Sequence, residues 1–318
     1  MKVLFLDSVH PILEKRLVKL GFTCEHDSTS SRENILKIIP KYHGLVIRSR
    51  TPLDKEFLTQ ASQLKFIARS GAGLENIDLV MAKSLGINLF SAPEGNRQAV
   101  GEHALGMLLS LFNKLSEADK QIRSGTWLRE ANRGVELAGK TVGIIGYGNM
   151  GKSFAKCISG IGCTVLAFDT HKKYYSDVYA SESTLLEIQE KADIISFHTP
   201  YNPSTHHYLN RDFILNMSKP FYLLNTARGK VVCTEDLVEG LKSEKILGAC
   251  LDVLEFEKTS FELMIETEDS DPFNYLIKSS KVLLSPHVAG WTQESYEKLS
   301  AVLASKIEEN LHLIKPSH

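Results

Sequence analysis

Cysteine is scarce in this chain of 318 residues, and no two of its five (Cys24, Cys157, Cys163, Cys233, Cys250) stand at C-x-x-C spacing. An odd, scattered set excludes a disulfide framework and a zinc ribbon, and is the usage expected of reduced thiols in a cytoplasm. Cys157, Cys163 and Cys250 fall in apolar runs, where a small buried hydrophobe is expected. Net charge is also missing. Lys and Arg number 37 against 38 Asp and Glu, which leaves −1 at pH 7, so nothing favours nucleic acid or an anionic membrane as a partner. No hydrophobic run approaches the length of a bilayer span, the longest apolar helical stretch lying near residues 104–112. The apolar start, residues 3–6, is cut by Asp7; too short for a signal sequence, it reads as a first strand. Internal repeats and low-complexity segments are lacking too. What remains is a globular composition, 43% hydrophobic and 24% charged, at a length that accommodates two domains.

Buried-strand patterns alternate with helical ones along the whole chain, which predicts parallel sheets covered by helices on both faces. The first third supplies strands at 2–6, 44–47, 66–68 and 88–90. A long apolar helix is expected over 101–115, followed by a hydrophilic stretch, 116–140. A second series of strands follows at 141–145, 164–168, 194–197, 221–224, 247–251 and 282–284, and six strands in that order fit a doubly wound nucleotide domain. The amphipathic helical segment 294–314 comes after that domain is complete and is expected to return to the first. The predicted division is therefore residues 1–97 with 293–318 as one discontinuous domain, and 98–292 as the other.

The most specific stretch lies between residues 141 and 169. An apolar, β-branched strand runs into Gly146, Gly148 and Gly151 at G-x-G-x-x-G spacing, and a helical pattern opens at Lys152. The first glycine permits a tight turn, the second lets a pyrophosphate approach the backbone, and the third lets helix pack close to strand. The next strand ends in Asp169, twenty residues beyond Asn149. A carboxylate there accepts hydrogen bonds from a ribose diol and repels a 2′-phosphate, so NAD is expected rather than NADP. Lys172 and Lys173 nearby read as a solvated loop pair. No metal site is expected.

Ligands in open α/β sheets bind beyond the carboxyl ends of strands. Three predicted strand ends carry polar residues: Asn225-Thr226-Ala227-Arg228-Gly229, Asp252-Val253-Leu254-Glu255-Phe256-Glu257, and Ser285-Pro286-His287-Val288-Ala289-Gly290. An arginine, a carboxylate and a histidine thus emerge at one sheet edge, a set suited to oxidising a hydroxy acid. The arginine holds a carboxylate by two parallel hydrogen bonds, and the histidine takes the hydroxyl proton as hydride departs. A carboxylate on the far ring nitrogen orients the imidazole and raises its pKa. Taken singly, an arginine at a strand end is more often a surface salt-bridge partner and a histidine more often structural; it is the joint spacing in a nucleotide fold that favours the catalytic reading.

These segments, with Arg48-Ser49-Arg50-Thr51, residues 71–78, 95–103, 125–127 and 136–139, resemble the D-isomer-specific 2-hydroxy acid dehydrogenases, nearest to the D-3-phosphoglycerate dehydrogenase branch. The resemblance spans nearly the whole chain. It implies an α/β fold of two doubly wound parallel-sheet domains separated by a cleft, a Rossmann NAD domain inserted into a flavodoxin-like substrate domain. It also implies a homodimer formed through the NAD domains. Carried over by position, Arg228 is the substrate-carboxylate ligand, Glu257 the histidine's partner and His287 the acid/base. Asn149 and Met150 bring their amides to the pyrophosphate, and Thr199 and Pro200 line the adenosine side. Ala72, Thr226, Ala227, Asp252 and Gly290 fall near the nicotinamide, with Asp252 accepting from its carboxamide. Ser70, Gly71 and Gly73 hold the substrate carboxylate from the other domain.

Departures are visible as well. Glu257 is followed by Lys258 rather than proline, which leaves Glu255 as the alternative partner. The stretch from Glu257 to His287 is longer than the pattern and contains an acidic run from Glu266 to Asp271, and Cys233 stands where aspartate is common. The chain ends at His318, without the regulatory domain of some phosphoglycerate dehydrogenases, so no serine feedback through such a domain is expected. The expected reaction interconverts 3-phosphoglycerate and 3-phosphohydroxypyruvate. Arg48, Arg50, Arg69 and Arg129 are the phosphate candidates, Arg48 first, and ordinary surface ion pairs are the competing reading. Hydroxypyruvate or glyoxylate reduction is the alternative substrate reading. An NADH-sensing, corepressor-like binding protein is the alternative of another class.

Overall fold

The computed structural model describes residues 1–257 and 271–315. Lys258 and most of the acidic run (Glu266 to Ser270) lie outside the described residues; Asp271 opens the helix Asp271–Lys278. The described chain divides into two compact units, one of residues 1–96 and 291–315, the other of 97–257 and 271–290.

The first unit is built on five parallel strands, β1 (Lys2–Phe5), β2 (Thr23–His26), β3 (Gly44–Ile47), β4 (Phe66–Arg69) and β5 (Asn88–Ser91), in the order β2-β1-β3-β4-β5. That is the flavodoxin-like order. Alternation along the central strands sends Leu4, Leu45, Ile47 and Ile67 into one core with Ile35 and Phe57. It sends Val3, Phe5, Val46, Phe66 and Ala68 to the other face, against Leu13, Leu17, Leu299, Leu303 and Ile307. The last three belong to the helix Gln293–Glu309, which opens on a capping box between Thr292 and Ser295. Lys306 ties the same helix to Glu94 and to the Ser91 carbonyl. β2 was not expected, because Thr23, Cys24, Glu25 and His26 sit half-exposed at the sheet edge and form no hydrophobic run.

The second unit holds seven parallel strands: β6 (Thr141–Ile145), β7 (Thr164–Phe168), β8 (Ser181–Glu182), β9 (Ile194–Phe197), β10 (Phe221–Asn225), β11 (Ile246–Leu251) and β12 (Val282–Leu284). Their order, β12-β11-β10-β9-β6-β7-β8, is the Rossmann order with one further strand. Order reverses between β6 and β9, and the crevice for a ligand opens there, beyond the carboxyl ends. Buried clusters cover both faces, Ile145, Ile195, Phe197 and Leu223 on one side, Val142, Ile144, Ile194 and Leu224 on the other. The two-residue β8 is exposed and too short to leave a sequence signal. The apolar helix expected over 101–115 runs instead from Pro93 to Phe112, proline being favoured in a first turn. Lys114, in a left-handed conformation (φ 51°), separates it from the helix Leu115–Arg123 in what read as a merely hydrophilic stretch. Of the three cysteines expected to be buried, Cys250 is, while Cys157 and Cys163 are partly covered.

Candidate active site

The cofactor and catalytic candidates of the second unit sit at or just beyond the carboxyl end of a strand, or in the helix turn that follows. Gly146 follows β6 with φ 94° and donates its N–H to the Phe168 carbonyl. Gly148 caps the helix Asn149–Ile158, and a Cβ built there would meet nothing within 4 Å. A Cβ on Gly151 would stand 2.2 Å from the Gly146 oxygen. Glycine is therefore required where helix meets turn, and the space over the helix N-terminus, with Asn149 and Met150 in its first turn, is left open. Asp169 accepts from the Tyr147 N–H and the His171 N–H, both at 2.9 Å, and so fixes the loop. Lys172 is not a free loop residue: its ammonium donates to the Tyr147 carbonyl at 2.6 Å.

A second latch holds the same loop. Tyr147 is buried, and its hydroxyl donates to Asp177 at 2.9 Å; Asp177 also pairs with Lys152 at 2.8 Å. Burial opposes ionisation of Asp177, but hydrogen bonds from Lys152, the Tyr179 N–H and Tyr147 outweigh it and hold the carboxyl at about 2. Beyond β9, His198 is buried against Phe154, with its Nε2 2.7 Å from Ser196 Oγ, and desolvation pushes its pKa down to about 3. Thr199 follows it, and Thr226 follows β10. Their hydroxyl oxygens are buried and have no hydrogen-bond partner among the described residues. Orphaned hydroxyls at two neighbouring strand ends, beside an open helix N-terminus, fit a polar ligand laid across the switch point. A dinucleotide meets those requirements.

The candidate acid–base pair lies at the other end of the sheet. His287, beyond β12, places Nδ1 3.0 Å from Glu257 Oε2. The carboxylate selects the Nδ1–H tautomer and leaves Nε2 as the nitrogen that can exchange a proton. Glu255 faces elsewhere: it accepts from His207 Nε2 at 2.6 Å and from the Thr234 N–H at 2.9 Å. The structure thus pairs His287 with Glu257 and not with the alternative. Arg228 follows β10, with one guanidinium nitrogen 2.6 Å from the Ala227 carbonyl. A Cβ on Gly229 would lie 1.9 Å from the Leu254 oxygen, so the Arg228 turn and the segment carrying Glu257 touch backbone to backbone.

Asp252, only 1% exposed, does more than was expected of it. It accepts from Ser285 Oγ at 2.6 Å and from the Val288 and Ala289 N–H groups at 2.9 Å, and its carbonyl accepts from the His287 N–H at 2.7 Å. Through these bonds it holds His287 in a left-handed conformation, φ 56°, that costs roughly 1–2 kcal/mol for a non-glycine residue. Gly290 ends this turn. His103, which falls in the matching segment 95–103 but was given no role of its own, reaches the same group, with Nε2 3.0 Å from Ser285 Oγ.

In the first unit, Arg48 follows β3, and its guanidinium stacks over the Trp291 ring at 4.0 Å. Arg50 is a structural residue: it donates to the carbonyls of Leu6, Asp27 and Ser30, which removes it from the phosphate candidates. Ser70, Gly71, Ala72 and Gly73 form the turn after β4, where Ser70 is buried and the Arg69 guanidinium lies against Gly71. Arg129 is exposed. No cluster of His, Cys, Asp and Glu among the described residues is arranged to hold a metal.

A Rossmann sheet with this loop is the scaffold of a dinucleotide-dependent oxidoreductase, and comparison with known proteins gives the family. The profile of the D-isomer specific 2-hydroxyacid dehydrogenase NAD-binding domain matches residues 105–289. Over 293 residues the chain is 33% identical to a hydroxypyruvate reductase of Thermotoga maritima, covering 92% of each. Over 309 residues it is 32% identical to a D-3-phosphoglycerate dehydrogenase of Archaeoglobus fulgidus, covering 96% of this chain and 56% of that one. The crystal structure of the TT0316 protein from Thermus thermophilus is similar with a TM-score of 0.82 at 28% identity, over 98% of this chain and 97% of that one. The chain belongs to the D-isomer specific 2-hydroxyacid dehydrogenases, NAD-dependent oxidoreductases.

Proposed function

We propose that this enzyme interconverts D-3-phosphoglycerate and 3-phosphohydroxypyruvate, with Arg228, Glu257 and His287 as its catalytic residues. The observation that carries the catalytic assignment is the 3.0 Å contact between His287 and Glu257 at the carboxyl edge of the Rossmann sheet. Arg228 grips the substrate carboxylate. His287 Nε2 takes the proton of the 2-hydroxyl, and Glu257 steadies the imidazolium that forms. The bound nicotinamide supplies the hydride chemistry. Gly146, Gly148, Asn149, Met150, Gly151, Asp169, Thr199, Pro200, Thr226, Ala227, Asp252, Gly290 and Ala72 are assigned to the cofactor. Ser70, Gly71 and Gly73 are assigned to the substrate carboxylate and Arg48 to the distal phosphate, residues 1–97 and 293–318 forming the substrate domain and 98–292 the NAD domain. The Trp291 ring restricts the Arg48 guanidinium, which favours a fixed anion over a mobile surface charge.

Reduction of hydroxypyruvate is the second reading, favoured by the full-length similarity to the Thermotoga protein. The test is a steady-state screen with NAD or NADP against D-3-phosphoglycerate, D-glycerate and D-lactate, and with NADH against phosphohydroxypyruvate, hydroxypyruvate and glyoxylate. Selective turnover of the phosphorylated pair, lost in Arg48→Ala, supports the proposal. Turnover of the unphosphorylated acids alone moves the assignment to the second reading. Tight NADH binding without turnover of any acid points to a binding protein.

We also assign the protein to the cytoplasm as a homodimer. Leu115, Ile122, Trp127 (81% exposed) and Leu128 present apolar side chains to solvent from the second unit, more than a monomer's surface favours in one segment. Among the described residues no helix is long and apolar enough to cross a membrane.

A further inference from the structure

We infer that His103 is a positioning residue for the acid–base turn, acting through Ser285 and Asp252 on the backbone that carries His287. The inference rests on the assignment of His287 as acid/base. Asp252 is a buried carboxylate at the carboxyl end of β11, and among the described residues its side chain accepts from Ser285, Val288 and Ala289 and is approached by His103. Ser285 Oγ donates its only proton to Asp252 Oδ1 at 2.6 Å. That oxygen can then only accept, so the nitrogen 3.0 Å away, His103 Nε2, must carry a hydrogen and donate it. The same nitrogen lies 3.5 Å from Asp252 Oδ1. The polarity of the chain is thereby fixed: imidazole N–H to hydroxyl, hydroxyl to carboxylate, and carboxylate to the Val288 and Ala289 N–H groups.

This chain matters because the backbone it ends on is strained. His287 occupies the left-handed region, follows Pro286, and is anchored to the Asp252 carbonyl. A strained residue persists only where its surroundings over-determine it, and the Asp252 carboxylate supplies that by binding the next two amides. Removing the His103 donor leaves the Ser285 oxygen with no donor facing it and the buried carboxylate with one fewer polar neighbour. The hydroxyl then has a reason to turn away, and the aim of the His287 ring relaxes with it. The ordinary alternative is that His103 is a histidine satisfied inside unit two, important for stability alone.

Three variants separate the two. His103→Leu removes the donor. His103→Gln keeps an N–H close to the position of Nε2. Ser285→Ala breaks the chain one link further on. The measurements are kcat and KM for whichever acid the wild type turns over, the Kd for NADH by fluorescence, and the low-field proton signal of the His287 Nδ1–H, identified by its loss in His287→Gln. His103→Leu is expected to lower kcat at least tenfold with the NADH Kd within twofold, and to shift or broaden the low-field signal. His103→Gln should restore most of both, and Ser285→Ala should resemble His103→Leu. An unchanged kcat and signal in His103→Leu overturns the inference, as does a loss of stability alone. If His103→Leu does not fold, Ser285→Ala decides by the same two readings. A wild type that turns over no acid removes the catalytic assignment, while the proton signal still reports whether His103 positions the ring.

Discussion

Two glutamates two positions apart meet two different histidines in this enzyme. Glu257 pairs with His287, and Glu255 pairs with His207 while also accepting from the N–H of Thr234. If His287 is the acid/base proposed, His287→Ala should reduce turnover roughly 10²–10⁴-fold, the usual contribution of a positioned acid or base. The Kd for NADH should be retained, and a steady-state assay with a binding control checks both. Glu255→Gln should instead leave the low-field His287 signal in place and act on stability. Linear spacing had left the two glutamates as alternatives, because an i, i+2 pair outside a helix gives no sign of which side chain turns toward which loop. His198 has a different consequence. Its pKa lies near 3 in the fold and near 6.5 when unfolded, so the unfolded chain binds the extra proton. Stability from this site is complete above about pH 6.5 and declines as pH falls toward 3, by up to about 1.4 kcal/mol per unit. Urea unfolding of the wild type and of His198→Gln at pH 7 and pH 5 should show the gap between them closing by about 2 kcal/mol.

Elements carry the site by touching at a few backbone points. The turn after β10 meets the segment after β11 where Gly229 faces the Leu254 carbonyl, and no side chain fits between them. Gly229→Ala must push these segments apart, at a cost of about 1–3 kcal/mol by the usual scale of overpacking. Because Arg228 and Glu257 sit on opposite sides of that contact, kcat/KM should fall by more than stability alone explains. Thermal melting alongside turnover at a temperature well below the transition tests this. At this scale the central strands were readable from their apolar β-branched runs, and so was the glycine turn after β6. Of the four edge strands, β5 and β12 were readable and two were not: β2 presents Thr23, Cys24, Glu25 and His26 half in solvent, and β8 has two residues. An edge strand packs on fewer sides and therefore carries less hydrophobic pattern. The anchoring roles of Asp252, His103 and Asp177 were equally unreadable. They depend on residues 33, 182 and 30 positions apart in the sequence, and only the folded sheet brings these together.

At the scale of the molecule, each unit has its own sheet and its own pair of cores, with the helix Gln293–Glu309 contributed to the first unit from the far end of the chain. A unit with its own core can unfold as its own cooperative block. A ligand held by one block stabilises that block by RT ln(1 + [L]/Kd), about 2.7 kcal/mol at a hundredfold excess over Kd. The glycine turn, Asp169 and the two orphaned threonine hydroxyls all lie in the second unit, so NAD should act chiefly there. Calorimetry is expected to resolve two transitions, one of which rises with NAD. Leu303 provides the complementary handle, since it is fully buried in the first unit between the terminal helix and the sheet. Leu303→Ala should remove about 2–5 kcal/mol from the transition that NAD leaves in place. If a single transition responds to both NAD and Leu303→Ala, the two cores melt as one block and the units are coupled more strongly than their separate cores require.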